Sequence, residues 1–359
     1  MLGDQIPRYF TRHGRNAPVN GSDTLATGDA DPAGQLARLL DGFLVTQLLY
    51  VAAKLEIADV LSAGPRSGAE VAAAVGALPD ALTRVLRGLV VEDVLTECDD
   101  GRFALTPVGE CLKGLRGAAL MRGEVYYRSA AGLLEAVLGG GTSFERVYGE
   151  SFFAHLGRNA DHEVMFQASM ADRAEQEAKD VVAAYDFTGL GRLVDIGGGR
   201  GVLMAAILRA AGGMTGLLMD REASLPAARA YLESAGVAAR AECVPGDFFA
   251  AVPAGGDAYV LARVLHDWDD AHAERILGNC RQVMRRGSRL LIVEAILPER
   301  ARESPAAIRM DLHMLLLLGA RERTETEFQR LLERTGFHMQ RAVRTRSRAG
   351  LGVVEATPG

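Results

Sequence analysis

The sequence predicts an α/β protein: a mostly parallel, doubly wound sheet in the carboxyl-terminal half, preceded by a mainly helical region. Three observations carry this. From Tyr185 onward, strand-like and helix-like segments alternate, as they do where parallel strands are joined by crossover helices. A glycine-rich run, LVDIGGGRG at 193–201, joins the first such strand to a helix. Before Tyr185 the apolar spacing is helical nearly throughout, with one hairpin signal. A chain of 359 residues has room for two such parts.

Composition narrows the class of protein. Hydrophobic residues make up 48% and charged residues 24%, as in a globular protein. The net charge of −6 gives no electrostatic reason to bind nucleic acid or an anionic membrane. Cys98, Cys111, Cys243 and Cys280 form no CxxC pair and do not cluster with histidine. A disulfide framework or structural zinc is therefore not expected, and a reducing, cytoplasmic setting is. The amino terminus has no apolar signal region, and the longest apolar run, near Met314–Leu318, is far too short to span a membrane.

Taken in order, residues 1–31 are polar and aperiodic and read as a flexible leader. Gln35–Leu61 has the spacing of one helix, with Leu36, Leu39, Leu40, Phe43, Leu44 and Leu48 spread around nearly every side. Such a helix must be covered all round, and a second subunit is the expected cover. Two short helices (Gly68–Val75, Pro79–Val91) and a hairpin (Val94–Glu97, Arg102–Leu105, turning at Asp100-Gly101) complete a winged-helix pattern over 32–117. Its second helix carries only Arg84 and Arg87, too few cations for a DNA reader, so the pattern reads as dimerising. Residues 118–185 read as connector helices broken at Gly139–Gly141 and Gly157–Asn159. Over 186–359, strands are expected at Leu193–Ile196, Gly216–Met219, Ala241–Val244, Ala258–Leu261, Arg289–Ala295 and, to close, near 338–345 and 351–356.

The candidate chemistry lies where these strands end, because ligands of such sheets sit beyond the strands' carboxyl ends. The turn with Gly197 and Gly199 lets a ligand approach the backbone closely, and the following helix offers free N–H groups. It departs from the dinucleotide fingerprint, since Val202 takes the third glycine's place. Asp195, just before the glycines, is suited to a cationic ligand such as an amino-acid ammonium. Asp220 ends the second strand, where a carboxylate can accept from ribose hydroxyls. In GDFF (246–249), Asp247 can accept from an exocyclic amine and Phe248 can stack on a purine; core packing competes for Phe248 and Phe249. In LARVLHDWDD (261–270), His266 follows the fourth strand and is either a general base or a structural histidine. The neighbouring acids mix a turn with a helix start, with Asp269 placed as an N-cap, so no metal is expected.

Together these motifs resemble the family of small-molecule O-methyltransferases that includes plant caffeate and bacterial polyketide and antibiotic enzymes. The resemblance runs from about Gln35 to Ala356 through KLEIADVL, FALTPVGECL, SFERVYGESFF, VDIGGGRG, GDFF, VLHDWDD, MDLHMLL and ARERTETEF. It implies a Rossmann-like methyltransferase sheet, a winged-helix dimerisation domain, a homodimer and a place in secondary metabolism. It implies S-adenosyl-L-methionine as cofactor, held by Gly197, Gly199 and Asp220, with Asp247 and Phe248 at the adenine. It implies His266 as base, flanked by Glu294 and Glu322, and a small aromatic hydroxyl acceptor contacted by Met170, His313 and Met314. Ala262 stands where many relatives carry a cofactor-contacting Lys or Ser, so that contact falls to backbone there or to Arg263. Arg221-Glu222 replaces the Leu-Pro that often follows the strand-two acid.

The expected reaction is an in-line displacement in which the hydroxyl oxygen takes the methyl group while His266 takes the proton. Two other readings compete. One is an enzyme of the same scaffold that binds the cofactor but hydroxylates or decarboxylates; retention of the VLHDW histidine argues against it. The other is a winged-helix regulator, against which the weak basic character counts.

Overall fold

The computed structural model describes residues 31–347 and 350–359, the side chain of Asp172 excepted. All but Asp31 of the expected leader lies outside the described residues. The chain divides into two units at Gly42. In the first, a helix over Pro32–Leu40 starts on the Asp31 carboxylate, which accepts from the Ala33 N–H at 3.1 Å, with proline at the first turn. None of its residues is buried, and Leu39 is 64% exposed.

The expected single helix over Gln35–Leu61 is interrupted. Helices span Pro32–Leu40, Gly42–Lys54 and Ile57–Val60, and a 3₁₀ turn follows. Glu56, at φ 55°, breaks the second from the third. Phe43 and Leu44 remain about half exposed, whereas Ala52 and Ala53 are buried. Gly68–Val75 begins with a reciprocal Ser67–Glu70 capping box. Pro79–Val91 buries Leu82, Leu86 and Leu89 against Ile57, Val71 and Phe103. The hairpin pairs β1 (Leu95–Glu97) with β2 (Phe103–Leu105), and Gly101 takes the left-handed turn position at φ 76°.

The connector holds short helices, a π-helical turn over Arg122–Tyr126 and a long helix, Ala160–Ala184. The breaks expected near 139–141 and 157–159 are present. Beyond it come β3 (Arg192–Ile196), β4 (Thr215–Asp220), β5 (Ala241–Pro245), β6 (Ala258–Ala262), β7 (Arg289–Leu297), β8 (Arg323–Thr324), β9 (Phe337–Arg344) and β10 (Leu351–Pro358). Their order is β5-β4-β3-β6-β7-β10-β9, with β8 paired to the end of β7. β3 to β7 run parallel and β10 antiparallel to both its neighbours. Both faces are apolar, as helices on both sides require: Val194, Ile196, Leu261 and Ile292 join one core, and Leu193, Val260, Leu291 and Val353 the other. No single helix among the described residues is long and apolar enough to cross a membrane.

Candidate functional site

The parallel strands β3, β4 and β6 end side by side, and their following turns build one site. After β3, Gly197, Gly199 and Gly201 sit at φ 69°, 54° and 75°, backbone that a side chain would strain. The Gly199 N–H donates to the Asp220 carboxylate at 2.8 Å, which ties the turn to the tip of β4. The other Asp220 oxygen accepts from the Arg221 N–H at 2.7 Å. Beneath the turn, Asp195 is buried and neither of its carboxylate oxygens has a hydrogen-bond partner. Burial first, then the Asp220 charge, pushes its pKa up to about 7. After β5, the Asp247 carboxylate accepts from the Phe249 N–H at 2.8 Å. Phe248 and Phe249 both pack half-buried against the core and Trp268, so neither is wholly committed to it.

Two cavities meet at this edge. One, of about 320 Å³, lies against Gly197, Gly199, Ala262 and Arg263 on the sheet and Met170 and Arg173 on the long helix. The other, of about 210 Å³, is walled by Tyr126, Phe166, His313 and Met314 and reached by His266 and Asp267. Met170, Arg173 and Arg263 line both. Asp220, Asp247 and Phe248 line neither.

His266 sits in a 3₁₀ turn after β6 and is buried. Its Nδ1 lies 2.8 Å from Glu322 Oε1 and 3.5 Å from Glu294 Oε2, and its Nε2 lies 3.5 Å from Asp267 Oδ1. Glu294 belongs to β7, hydrogen-bonded beside β6, and its Oε1 accepts from the Val264 and Leu265 N–H groups at 3.0 and 2.9 Å. It therefore fixes the backbone on which His266 stands. Glu322 directly precedes β8, and its own N–H donates to Asp311 at 2.9 Å. Burial works to lower the His266 pKa, but the charges of Glu294, Glu322 and Asp267, in that order, raise it to about 10. Glu294 is raised to about 7, mainly by burial. The donor atoms of His266, Glu294 and Glu322 lie within 4.8 Å of one another, close enough to share a cation. With Nδ1 at hydrogen-bond distance from Glu322, the imidazole's own proton can fill that place.

The segment is also clamped from behind. Arg323, 1% exposed, donates to the Leu265 and Trp268 carbonyls, each at 3.0 Å, and to Asp270 at 2.9 and 3.1 Å. Asp269 caps the next helix, as expected, accepting from the His272 N–H at 2.9 Å. Arg263, at φ 54°, donates twice to Glu177 at 2.7 and 3.0 Å. Its remaining Nη1 and the Nε of Arg173 are buried without a partner.

Of the residues singled out from sequence, Met170, Gly197, Gly199, Ala262, Arg263, His266, His313 and Met314 line the cavities. Tyr126 and Phe166 complete the wall of the smaller one. Sequence reasoning missed Arg122, Arg173 and Glu177. A signal existed for two of them: Met170, Arg173 and Glu177 recur at helical spacing and share one face of the long helix.

This fold and site define a methyltransferase of the S-adenosylmethionine-dependent class. Residues 131–338 match the O-methyltransferase domain and residues 37–113 the O-methyltransferase dimerisation domain, so the chain belongs to that O-methyltransferase family. It is 43% identical to a phenazine O-methyltransferase of Lysobacter antibioticus, over 90% of this chain and 95% of that one. The solved mitomycin 7-O-methyltransferase superposes with a TM-score of 0.86 at 34% identity, covering 91% of this chain and 98% of that one. A neocarzinostatin-biosynthesis O-methyltransferase, solved with S-adenosylmethionine and a hydroxy-methyl-naphthoic acid, gives a TM-score of 0.76 at 33% identity, over 88% and 96% of the two chains. Some relatives are named for N-methylation instead.

Proposed function

We propose that the enzyme methylates a phenolic hydroxyl of a small aromatic natural product, with His266 as the base. One observation carries this: His266 reaches into an aromatic-walled cavity that shares Met170, Arg173 and Arg263 with the cavity against the glycine turn. The larger cavity, the left-handed glycines and the unpartnered guanidinium nitrogens fit S-adenosylmethionine. In this reading Gly197 and Gly199 hold its amino-acid part in the cavity, and its ribose and adenine extend past the cavity's walls toward Asp220 and the turn after β5. Asp247 and Phe248 take the adenine, and Arg173, Arg263 and the backbone at Ala262 serve its carboxylate. When bound, S-adenosylmethionine supplies an electrophilic methyl group and is left as a thioether.

The chain's own residues do the rest. Glu322 accepts from the Nδ1–H, so Nε2 is the nitrogen that, once it has lost its own proton, takes the hydroxyl proton. The surrounding acids make that nitrogen basic enough to hold the proton through transfer. Glu294 keeps the histidine's backbone in place. Met170, His313 and Met314 position the ring. Alignment of two bound reactants is worth about 7–11 kcal/mol and a base about 10²–10⁴-fold in rate. The working form is a homodimer of a cytoplasmic enzyme, its leucine-lined amino-terminal helices covered by the second copy.

Relatives named for N-methylation favour one alternative, an amine acceptor, for which a proton acceptor of this strength has less use. Incubation with labelled S-adenosylmethionine and a panel of phenols, naphthols, aromatic polyketides and aryl amines, scored by mass spectrometry, separates them. Methylation confined to nitrogen would overturn the assignment.

A further inference from the structure

The smaller cavity carries more positive charge than its own residues neutralise. Arg122, on the π-helical turn, and Arg173, on the long helix, both line it. Neither pairs with a carboxylate among the described residues. Among the described residues Arg122 makes a long hydrogen bond to the Ala118 carbonyl, at 3.4 Å, and Arg173 approaches the Met170 sulfur, at 3.8 Å. Arg263, the third guanidinium here, already has Glu177. The cavity's acid, Asp267, leans toward His266.

The cations bear on one another and on their neighbours. Burial, then the Arg263 charge, lowers the pKa of Arg173. Burial, then the charges of Arg122, Arg173 and Arg309, holds His313 neutral, its pKa lowered to about 4. Among the described residues the only acid offsetting Arg173 is Glu177, which already pairs with Arg263, and half-buried guanidiniums so placed are unfavourable until an anion joins them. Arg173 lines both cavities and is placed to serve the methyl donor's carboxylate, whereas Arg122 lines the acceptor cavity and not the donor one. One guanidinium is thus left for the acceptor. The π-helical turn suits such a role, since these bulges recur at functional sites. The remaining walls, Tyr126, Phe152, Phe166, Met310 and Met314, suit a flat ring. The volume of about 210 Å³ is below the range of about 300–1,000 Å³ usual for drug-sized ligands, which selects a small one.

We propose that the acceptor is an aromatic hydroxy acid whose carboxylate is held by Arg122 while its hydroxyl faces His266. This rests on the methyltransferase reading above. The planar fork of arginine matches a carboxylate, and a hydrogen bond to a charged group is worth about 1.5–3 kcal/mol, or roughly 10- to 100-fold in affinity.

The test compares a hydroxynaphthoate, its carboxamide and the parent naphthol. Each is titrated calorimetrically into the enzyme loaded with S-adenosylhomocysteine and is also assayed for methyl transfer. The acid should bind about 10- to 100-fold more tightly than its carboxamide. Arg122→Gln should abolish that advantage, and Arg122→Lys, which keeps the charge, should restore part of it. Equal binding of acid and carboxamide to the wild-type enzyme would overturn the proposal, whatever the variants do. So would an Arg122→Gln enzyme that loses S-adenosylmethionine affinity but keeps the acid's advantage. If acids bind through Arg122 and nothing is methylated, the anion site stands and the methyltransferase reading fails. If only neutral hydroxyarenes bind and react, the reverse holds.

Discussion

Replacing Glu322 by glutamine changes one charge and almost no volume at the point where His266 acquires its basicity. The wild-type Nδ1 lies 2.8 Å from a buried carboxylate. A hydrogen bond to a charged partner contributes about 1.5–3 kcal/mol and one between neutral groups about 0.5–1.5, so the substitution removes about 1–2 kcal/mol from the protonated imidazole. At 1.36 kcal/mol per unit, the His266 pKa should fall by about one unit. The sign follows from the base role. The imidazole accepts a proton only after losing its own, so kcat/KM should rise with pH through the neutral range. It should level off only near the raised pKa of about 10. In the glutamine variant the rising limb should move about one unit toward lower pH, and the limiting value should fall by up to about tenfold, because a weaker base drives proton transfer less. The assay is kcat/KM across pH with a phenolic acceptor whose own ionisation lies outside the window. A wild-type profile already level at neutral pH, or a variant limb in the wild-type position, would refute the reasoning.

Further expectations concern the scaffold. Arg323→Met leaves the Leu265 and Trp268 carbonyls without their buried donor and should cost about 3 kcal/mol by chemical denaturation, with activity lost in proportion to disorder at His266. Gly199→Ala meets no atom within 4 Å but must hold φ 54°, so it should cost only about 1–2 kcal/mol of stability. Leu39→Asp, on the exposed face of the first helix, should turn a dimer into a monomer in sedimentation while leaving the thermal unfolding of the sheet domain intact.

The parts of this structure that were legible in the sequence are those written locally. The glycine turn, Asp220 and the Asp269 cap each follow from residues within a few positions of one another. The strand-helix alternation implies the mostly parallel sheet, but not its order: the chain returns from β5 at one edge past β4 and β3 to lay down β6, a step that no local signal marks. Where contacts are distant, local pattern runs out. Glu322 meets His266 across 56 positions because β8 pairs with the end of β7, and a two-residue strand leaves no periodic signal. Within the π-helical turn that carries Arg122, Gly123 lets Tyr50 pack directly against the backbone, a long-range contact that no local pattern announces. The interruption at Glu56 is equally hidden, since apolar spacing continues past a residue held in left-handed backbone. Glu294 and Glu322 were both expected beside His266; only their coordinates divide the work, Glu322 at the ring and Glu294 mainly at the backbone.

The most direct measurement takes the His266→Ala enzyme and determines, side by side, turnover of a phenolic acceptor and calorimetric affinity for S-adenosylmethionine. Turnover should drop by at least about a hundredfold while donor affinity holds. Turnover near the wild-type level, or a loss that tracks weakened donor binding, would contradict the assignment of the base.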